Sequence, residues 1–369
     1  MKLLFSAVII GLWISQGHVM KSWERFGLSL IKSDQLQRLA IYGEIPLCMK
    51  RGLVDQQIDL DVLLDAIDLP ASRRPPIYVY TGRGPSSLRL HWGHPIPFQL
   101  ANWLSGLTGG PLHVQLSNDE KFYASDTQSL LDIERFTVEN ERDIRAICNT
   151  DRLFMSRNTQ NIADLYTTAM PMAKALPIGT LREVFGLDDS APIGRFLQPL
   201  WQMAPCFADP DPRALCVVAC AVDQYPYFRV ARAVAERVGK RKPIVIAASQ
   251  FIPALDNPGS KMSASSPKSC IFFGDTPEVV HSKLSRAVSG GGRTIEEHRE
   301  RGGDTSRDVA MQLLRAFLED EAEWTGLVEG YKRGIILTAQ VKKRAIGVVN
   351  ELLAGIEKRR NESIKASCE

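Results

Sequence analysis

Ile77-Tyr78-Val79-Tyr80 runs directly into Thr81-Gly82-Arg83-Gly84-Pro85-Ser86-Ser87-Leu88-Arg89-Leu90-His91-Trp92-Gly93-His94, and an apolar run opens at Ile96. The four β-branched and aromatic residues predict a buried strand, and the glycine-rich stretch predicts a turn into a helix. Pro95 and Pro97 fall in the first turn of that helix, where a missing N–H costs least. Strand, glycine turn and helix together present backbone N–H groups and a helix N-terminus to a phosphate. On this stretch alone, a structural turn with incidental histidines is the alternative.

Working outward, strands and helices alternate. Leu112–Leu116, Leu153–Ser156, Leu215–Val222 and Ile244–Ala248 read as further short buried strands. Between them lie helical segments such as 127–147, where Leu130, Ile133, Ile144 and Ile147 recur at roughly helical spacing. The alternation implies an α/β fold, a Rossmann-like parallel sheet with helices on both faces, over residues 76–276. Ligands then bind beyond the carboxyl ends of the strands. Residues 21–75 read as a mostly helical extension packed on that core, ended by Leu69-Pro70-Ala71-Ser72-Arg73-Arg74-Pro75-Pro76, because consecutive prolines disfavour helix. After Ile271-Phe272-Phe273 the strand signals stop. Helical patterns follow at 277–288, 305–320 and 338–358, the last with Val341, Ala345, Val348, Leu352 and Ile356 on one stripe. Residues 277–369 are therefore expected to form an α-helical unit, and pattern alone does not say whether it only caps the sheet.

The bulk composition sets limits. A chain of 369 residues, 44% apolar and 24% charged, has ample material for one large or two ordinary domains. A formal charge of +3 is too small to announce a nucleic-acid partner, so any such face must be a local patch. Seven cysteines without a C-x-x-C pair suggest neither a zinc site nor a disulfide framework; reduced thiols fit a cytosolic protein. Cys216 and Cys220 share one side of an expected strand and are read as packing residues. The apolar run Leu3 to Ile14 is too short to span a bilayer and resembles a signal-peptide core without a small-residue cleavage site. Residues 1–20 are thus expected to be a lead without function, Met20 offering another start, while an organellar or secretory address stays open.

His91 and His94 have the spacing of a zinc pair, but the other histidines offer no matching ligands, so no metal site is expected. A different partner for this pair lies far downstream, Lys261-Met262-Ser263-Ala264-Ser265. His-x-Gly-His after the first strand with Lys-Met-Ser-x-Ser in a later loop resembles the paired signature of class I aminoacyl-tRNA synthetases. The segments Tyr80 to Ser87, Asn118-Asp119-Glu120-Lys121, Ala221-Val222-Asp223-Gln224, Pro226-Tyr227-Phe228-Arg229 and Thr294 to Arg299 narrow it further. They are similar to the tryptophanyl-tRNA synthetases of eukaryotic type, in order, from about Arg25-Phe26-Gly27 nearly to the C-terminus.

The resemblance implies a tryptophan–tRNA ligase that uses ATP with Mg²⁺ and charges tRNA(Trp). It also implies a homodimer in the cytoplasm, with no DNA partner and no stable membrane association. His91 and His94 are then the groups that hydrogen-bond the ATP phosphates, and Lys261 neutralises departing pyrophosphate. Ser263 and Ser265 donate to phosphate oxygens, Arg83 and Lys121 add charge, and Gly84, Gly93 and Met262 complete the ATP site, Gly93 letting adenine lie close. Tyr80 and Gln115 match the indole N–H partners. Glu120, Gln202 and Gln224 match the residues holding the amino and carboxylate groups, with Ser117 where the subgroup has threonine. The helical unit becomes the anticodon-binding domain, with Arg293 as its tRNA contact. Tyrosyl-tRNA synthetase, which shares fold and signatures, and a synthetase-derived binding protein without ligase activity are the alternatives. Three further departures stand out. Trp92 replaces a small aliphatic residue, Tyr225 replaces an acidic one, and Ser289-Gly290-Gly291-Gly292-Arg293 replaces Ser-Gly-Gly-Arg-Asp; Ala264, where many class I enzymes have a second lysine, is typical of the tryptophanyl subgroup.

Overall fold

The computed structural model describes residues 27–124 and 128–366; the apolar lead, and Arg25-Phe26 of the family-like opening, lie outside them. The described chain opens with β1 (Ser29–Leu30), α1 (Ser33–Ala40), α2 (Leu47–Lys50), β2 (Val54–Ile58) and α3 (Leu60–Asp68). The sheet unit follows as β3 (Ile77–Arg83), α4 (Pro95–Thr108), β4 (Leu112–Leu116), α5 (Glu120–Ala124), α6 (Leu130–Cys148) and β5 (Leu153–Arg157). Next come α7 (Ile162–Ala175), α8 (Ile178–Phe185), α9 (Ile193–Met203), β6 (Leu215–Ala221), α10 (Tyr225–Val234) and β7 (Ile244–Ala248). A hairpin of β8 (Pro253–Ala254) and β9 (Asn257–Lys261) leads to α11 (Pro277–Arg286), α12 (Ile295–Arg301), α13 (Val309–Phe317), α14 (Glu321–Lys332) and α15 (Thr338–Ala366).

The strand order is β1-β2-β7-β6-β3-β4-β5. β7, β6, β3, β4 and β5 are parallel, as the alternation of strands and helices requires. Successive side chains of a strand point to opposite faces. Val79, Val217 and Ile246 therefore join the cluster under α3, α4 and α6, while Tyr78, Tyr80, Val218, Val245 and both Cys216 and Cys220 face α7, α9 and α10. The order reverses at β3, whose neighbours are β4 and β6, and this opens a crevice beyond their carboxyl ends.

The N-terminal segment is less helical than expected. Val54-Asp55-Gln56-Gln57-Ile58 is a strand, antiparallel to β7. Its middle is polar, so it carries no apolar run. The buried Gln57 amide is instead satisfied by the Leu60 N–H at 2.9 Å and by the Ser29 hydroxyl at 2.6 Å. In the C-terminal half, the pattern over 305–320 resolves into α13 alone, and α14 went unseen because its apolar residues do not form one stripe. Val341, Ala345, Val348 and Ile356 of α15 are buried; Leu352 is only partly so, and Leu353 takes the inner position. The helices are continuous with the sheet: Leu284, Leu313, Tyr331 and Val341 belong to the same apolar cluster as Val79 and Leu112.

Candidate active site

A cavity of about 730 Å³ occupies the crevice. The turn 81–94 forms one wall, and the end of α9 with the segment after β6 forms another. The end of β9 and the residues after it, 261–265, close a third side. Every residue named above for ATP lines it, as do Tyr80, Ser117, Glu120, Gln202 and Gln224. Gln115 and Arg293 do not.

The two histidines are fixed by backbone. The turn is stitched to the segment before α11, with the Trp92 N–H donating to Ile271 O at 3.0 Å and the Phe273 N–H to Leu90 O at 2.9 Å. His91 Nδ1 accepts the Gly93 N–H at 3.1 Å, and His94 Nδ1 accepts the His91 N–H at 3.1 Å. A ring nitrogen that accepts carries no proton, so in each neutral imidazole the proton sits on Nε2. Burial, with the charges of Arg83 and Lys261 adding to it, holds the His91 pKa down to about 3 and that of His94 well below its ordinary value. The pair therefore offers two neutral N–H donors, with ring centroids 3.7 Å apart. A Cβ on Gly93 would stand 2.8 Å from the His91 ring, so this glycine is required by its own histidine neighbour as well as by any ligand.

The cations differ in what holds them. Arg83 is half-buried at the end of β3, and its hydrogen bonds go to neutral groups, Asn140 Oδ1 at 3.3 Å and Ser86 Oγ at 3.0 Å. Burial pulls its pKa down to about 10 against the opposing charge of Glu120. No carboxylate among the described residues lies within ion-pair distance of it. A half-buried guanidinium without a paired carboxylate is stabilised by an incoming anion. Lys261 Nζ rests on Asp223 Oδ2 at 2.6 Å, above the Phe251 ring at 5.5 Å. Lys121 pairs with Glu120 at 2.7 Å. The stretch Asp256-Asn257-Pro258-Gly259, whose residues signal a mobile turn, is mostly strand: the turn is Leu255-Asp256, and β9 pairs back onto β8. Lys261 thus ends a hairpin. Met262 is buried, its N–H on Ile252 O at 2.9 Å, and Ser263 Oγ accepts the Ser265 N–H at 3.4 Å.

Tyr80, fully buried, also lines the cavity. Its hydroxyl lies 2.7 Å from Gln115 Oε1 and 2.8 Å from the Gln202 carbonyl. Gln115 Nε2 donates to Asn158 Oδ1 at 2.8 Å and to Trp201 O at 2.9 Å, which fixes the sense of its amide. Tyr80 faces the cavity and Gln115 stands behind it as the group that orients the phenol. The Phe228 ring meets Tyr80 edge-on at 6.0 Å. Gln202 Nε2 donates to Gln224 Oε1 at 3.0 Å, and the Glu120 carboxylate fills the space that Gly84 leaves open.

Comparison with known proteins gives this arrangement its family. Residues 111–354 match the family described as tRNA synthetases class I (W and Y). The cytoplasmic tryptophan–tRNA ligase of Schizosaccharomyces pombe is 37% identical over 93% of this chain and 89% of its own length. The chain belongs to the tryptophanyl-tRNA synthetases. Among solved members of the family, the Plasmodium falciparum enzyme superposes with a TM-score of 0.85 at 34% identity, over 92% of this chain and 93% of that one. The Encephalitozoon cuniculi enzyme, solved bound to tryptophan, gives 0.81 at 31% identity, again over 92% and 93%.

The departures from the family pattern have physical settings. Trp92 turns into the core, its ring 4.7 Å from Phe317 of α13 and 5.6 Å from Phe273, with an indole N–H that finds no partner among the described residues. The extra volume is absorbed between the sheet and the helices. Tyr225 begins α10 and is buried outside the cavity. A Cβ on Gly292 would stand 2.6 Å from the His298 backbone nitrogen, so no side chain fits there, and Arg293 beside it is exposed. Motif reading put the Asp223-Gln224 pair beyond its strand as part of the site but gave Asp223, the seat of Lys261, no role. It passed over Asn158, which has no local signal and holds both Gln115 and Asp119 by its side-chain amide.

Proposed function

We propose that the cavity is where tryptophan and Mg·ATP react, and that this chain then charges tRNA(Trp). A tryptophan carboxylate oxygen attacks the α-phosphorus, and the bond to the β-phosphate oxygen breaks. The products are tryptophanyl-adenylate and pyrophosphate, and the acyl group then passes to the terminal ribose hydroxyl of the tRNA. No covalent enzyme intermediate is needed; the residues position and stabilise charge. His91 and His94 give Nε2–H donors to the phosphates, Arg83 supplies its unpaired charge, and Lys261 leaves Asp223 for the departing pyrophosphate. Tyr80 accepts the indole N–H, while Glu120, Gln202 and Gln224 take the amino and carboxylate groups. The observation that carries this reading is one cavity lined both by a half-buried Arg83 that no described carboxylate pairs and by the fully buried phenol of Tyr80.

Mg²⁺ enters as part of the substrate: among the described residues no group of three His, Cys, Asp or Glu side chains is placed to hold a metal, and this ion commonly rides on phosphates. The helical unit from residue 277 takes the anticodon end of the tRNA. Homodimerisation is supported by exposed apolar side chains on β5, α7, α8 and α9, among them Phe154, Tyr166, Ile178 and Ile193. A cytoplasmic site of action is supported by the relatives' names. Amino-acid-dependent ATP–pyrophosphate exchange, run with tryptophan and tyrosine side by side, tests the assignment. Tryptophan should support exchange and tyrosine should not; equal use of both would overturn it. Lys261→Ala should cost roughly 2–4 kcal/mol of barrier in the same assay, the scale of one transition-state contact.

A further inference from the structure

A file of side-chain amides enters the cavity from behind. The Tyr227 hydroxyl donates to Gln198 Oε1 at 3.3 Å, Gln198 Nε2 donates to Gln202 Oε1 at 2.7 Å, and Gln202 Nε2 donates to Gln224 Oε1 at 3.0 Å. Gln198 is 6% exposed and does not line the cavity, whereas Gln202 and Gln224 do. Gln198 and Gln202 are one helical turn apart on α9, and Gln224 follows β6.

We propose that Gln198 is a positioning residue that fixes the sense of this file, so that Gln224 presents N–H donors to the substrate carboxylate. An amide has an acceptor side and a donor side, and rotating it by half a turn exchanges them. Gln198 and Gln202 each accept from the residue before them and donate to the next. The phenol of Tyr227, able to donate or accept, takes the donor role here; the sense runs on from Gln198 and is delivered at Gln224, whose oxygen is occupied and whose Nε2 hydrogens no described group takes. A carboxylate only accepts, and an ammonium only donates. The file in this sense therefore favours the acid end of an amino acid at Gln224, leaving the amino end to the Glu120 carboxylate. Gln198 reads as an ordinary polar helix residue in sequence; its role exists only through its neighbour four positions on.

This inference rests on the tryptophan-activating reading, and its test separates the two. Wild-type protein that fails to exchange pyrophosphate with tryptophan ends the functional reading itself. With exchange in hand, Gln198→Glu replaces the donor by a group that only accepts. Gln202 must then turn its NH₂ back, and Gln224 shows its oxygen to the substrate. The KM for tryptophan should rise about ten-fold or more, the scale of one mismatched buried hydrogen bond. The KM for ATP should stay within about two-fold, and inhibition by tryptamine, which lacks the carboxylate, should be kept or tightened. Gln198→Leu, which removes the anchor without reversing it, should raise the tryptophan KM only about two- to three-fold. Tyr227→Phe adds no buried charge and removes only the first donor; it should show a smaller rise of the same selectivity. A second cycle adds Gln202→Met, which cuts the file. If the orientation travels through Gln202, the extra penalty of Gln198→Glu disappears in that background, whereas a through-space effect of the new charge persists. Equal penalties for Gln198→Glu and Gln198→Leu, parallel loss of tryptamine binding, or a penalty that survives Gln202→Met would each overturn the proposal.

Discussion

The two nitrogens of His91 have opposite tasks: Nδ1 is spent on the Gly93 N–H, and Nε2 keeps the proton that faces the cavity. Only the neutral ring can do both, and this makes His91 a liability in acid. Its pKa in the folded chain is about 3 because burial penalises the charged form, against an ordinary value of 6.5 in the unfolded chain. Below pH ~6.5 the unfolded chain therefore binds a proton that the folded chain refuses, and stability falls by up to about 1.4 kcal/mol per pH unit until about pH 3. His94 and His113, also held low by burial, act in the same direction. Urea midpoints at pH 6.5 and 5.5 should show wild-type protein losing about 1 kcal/mol more than His91→Gln; identical losses would mean that His91 is protonated in the fold. The identities of His91, Tyr80 and Lys261 were legible because motif spacing carries them. Their partners were not. Gln115 was legible as a type, but its place behind Tyr80 depends on Asn158, just after β5, and on Trp201 of α9.

Elements were legible where their chemistry is uniform along the chain. Strands β3, β6 and β7 carry apolar residues on both faces and β4 and β5 keep an apolar opening, so all five announce themselves, whereas β2 is polar at its centre and shows only in its pairing with β7. The hairpin β8–β9 was hidden because Asn257, Pro258 and Gly259, turn formers by habit, sit within a strand. The attachment of α15 to α6 had no local signature either. Asp143 of α6 is fully buried; its Oδ2 accepts the Leu90 N–H at 3.0 Å, and its Oδ1 receives Arg89 at 3.0 Å and Arg360 of α15 at 2.7 Å. Burial pushes this carboxyl above its ordinary pKa, the two arginines opposing the shift. One carboxylate thus fixes both the last helix and the residue before His91. Asp143→Ala takes the buried carboxylate from Arg360, which keeps Glu139, and from Arg89, which keeps Glu357, and leaves the Leu90 N–H without its acceptor; it should cost roughly 3 kcal/mol. Glu357→Gln, at the half-exposed end of the Arg89 pair, should cost less than about 1 kcal/mol. Comparable losses in denaturant midpoint for the two variants would place the weight of the attachment elsewhere.

At the scale of the whole molecule, the question is how the sheet and the helices divide the reaction. Ser289 to Arg293 supplies the contrast, because the three glycines pack against backbone and side chains of residues 298, 304 and 338, and only Arg293 projects. Its backbone N–H is held by Glu297 Oε2 at 2.8 Å, and no described carboxylate pairs with its guanidinium. A guanidinium can grip phosphate or stack on a splayed base, but it cannot accept from a cytosine amino group as a carboxylate can. Discrimination at the first anticodon base is therefore expected to be weakened or altered, with charge counting for more than base identity. Arg293→Ala should weaken tRNA charging and leave tryptophan-dependent pyrophosphate exchange unchanged, since Arg293 is no part of the cavity. The loss should shrink as salt rises, because phosphate contacts are the part of binding that salt screens. Charging of transcripts varied at the first anticodon base decides the point: a graded loss across the four bases is expected. A single base change that abolishes charging outright would show that another residue reads that base.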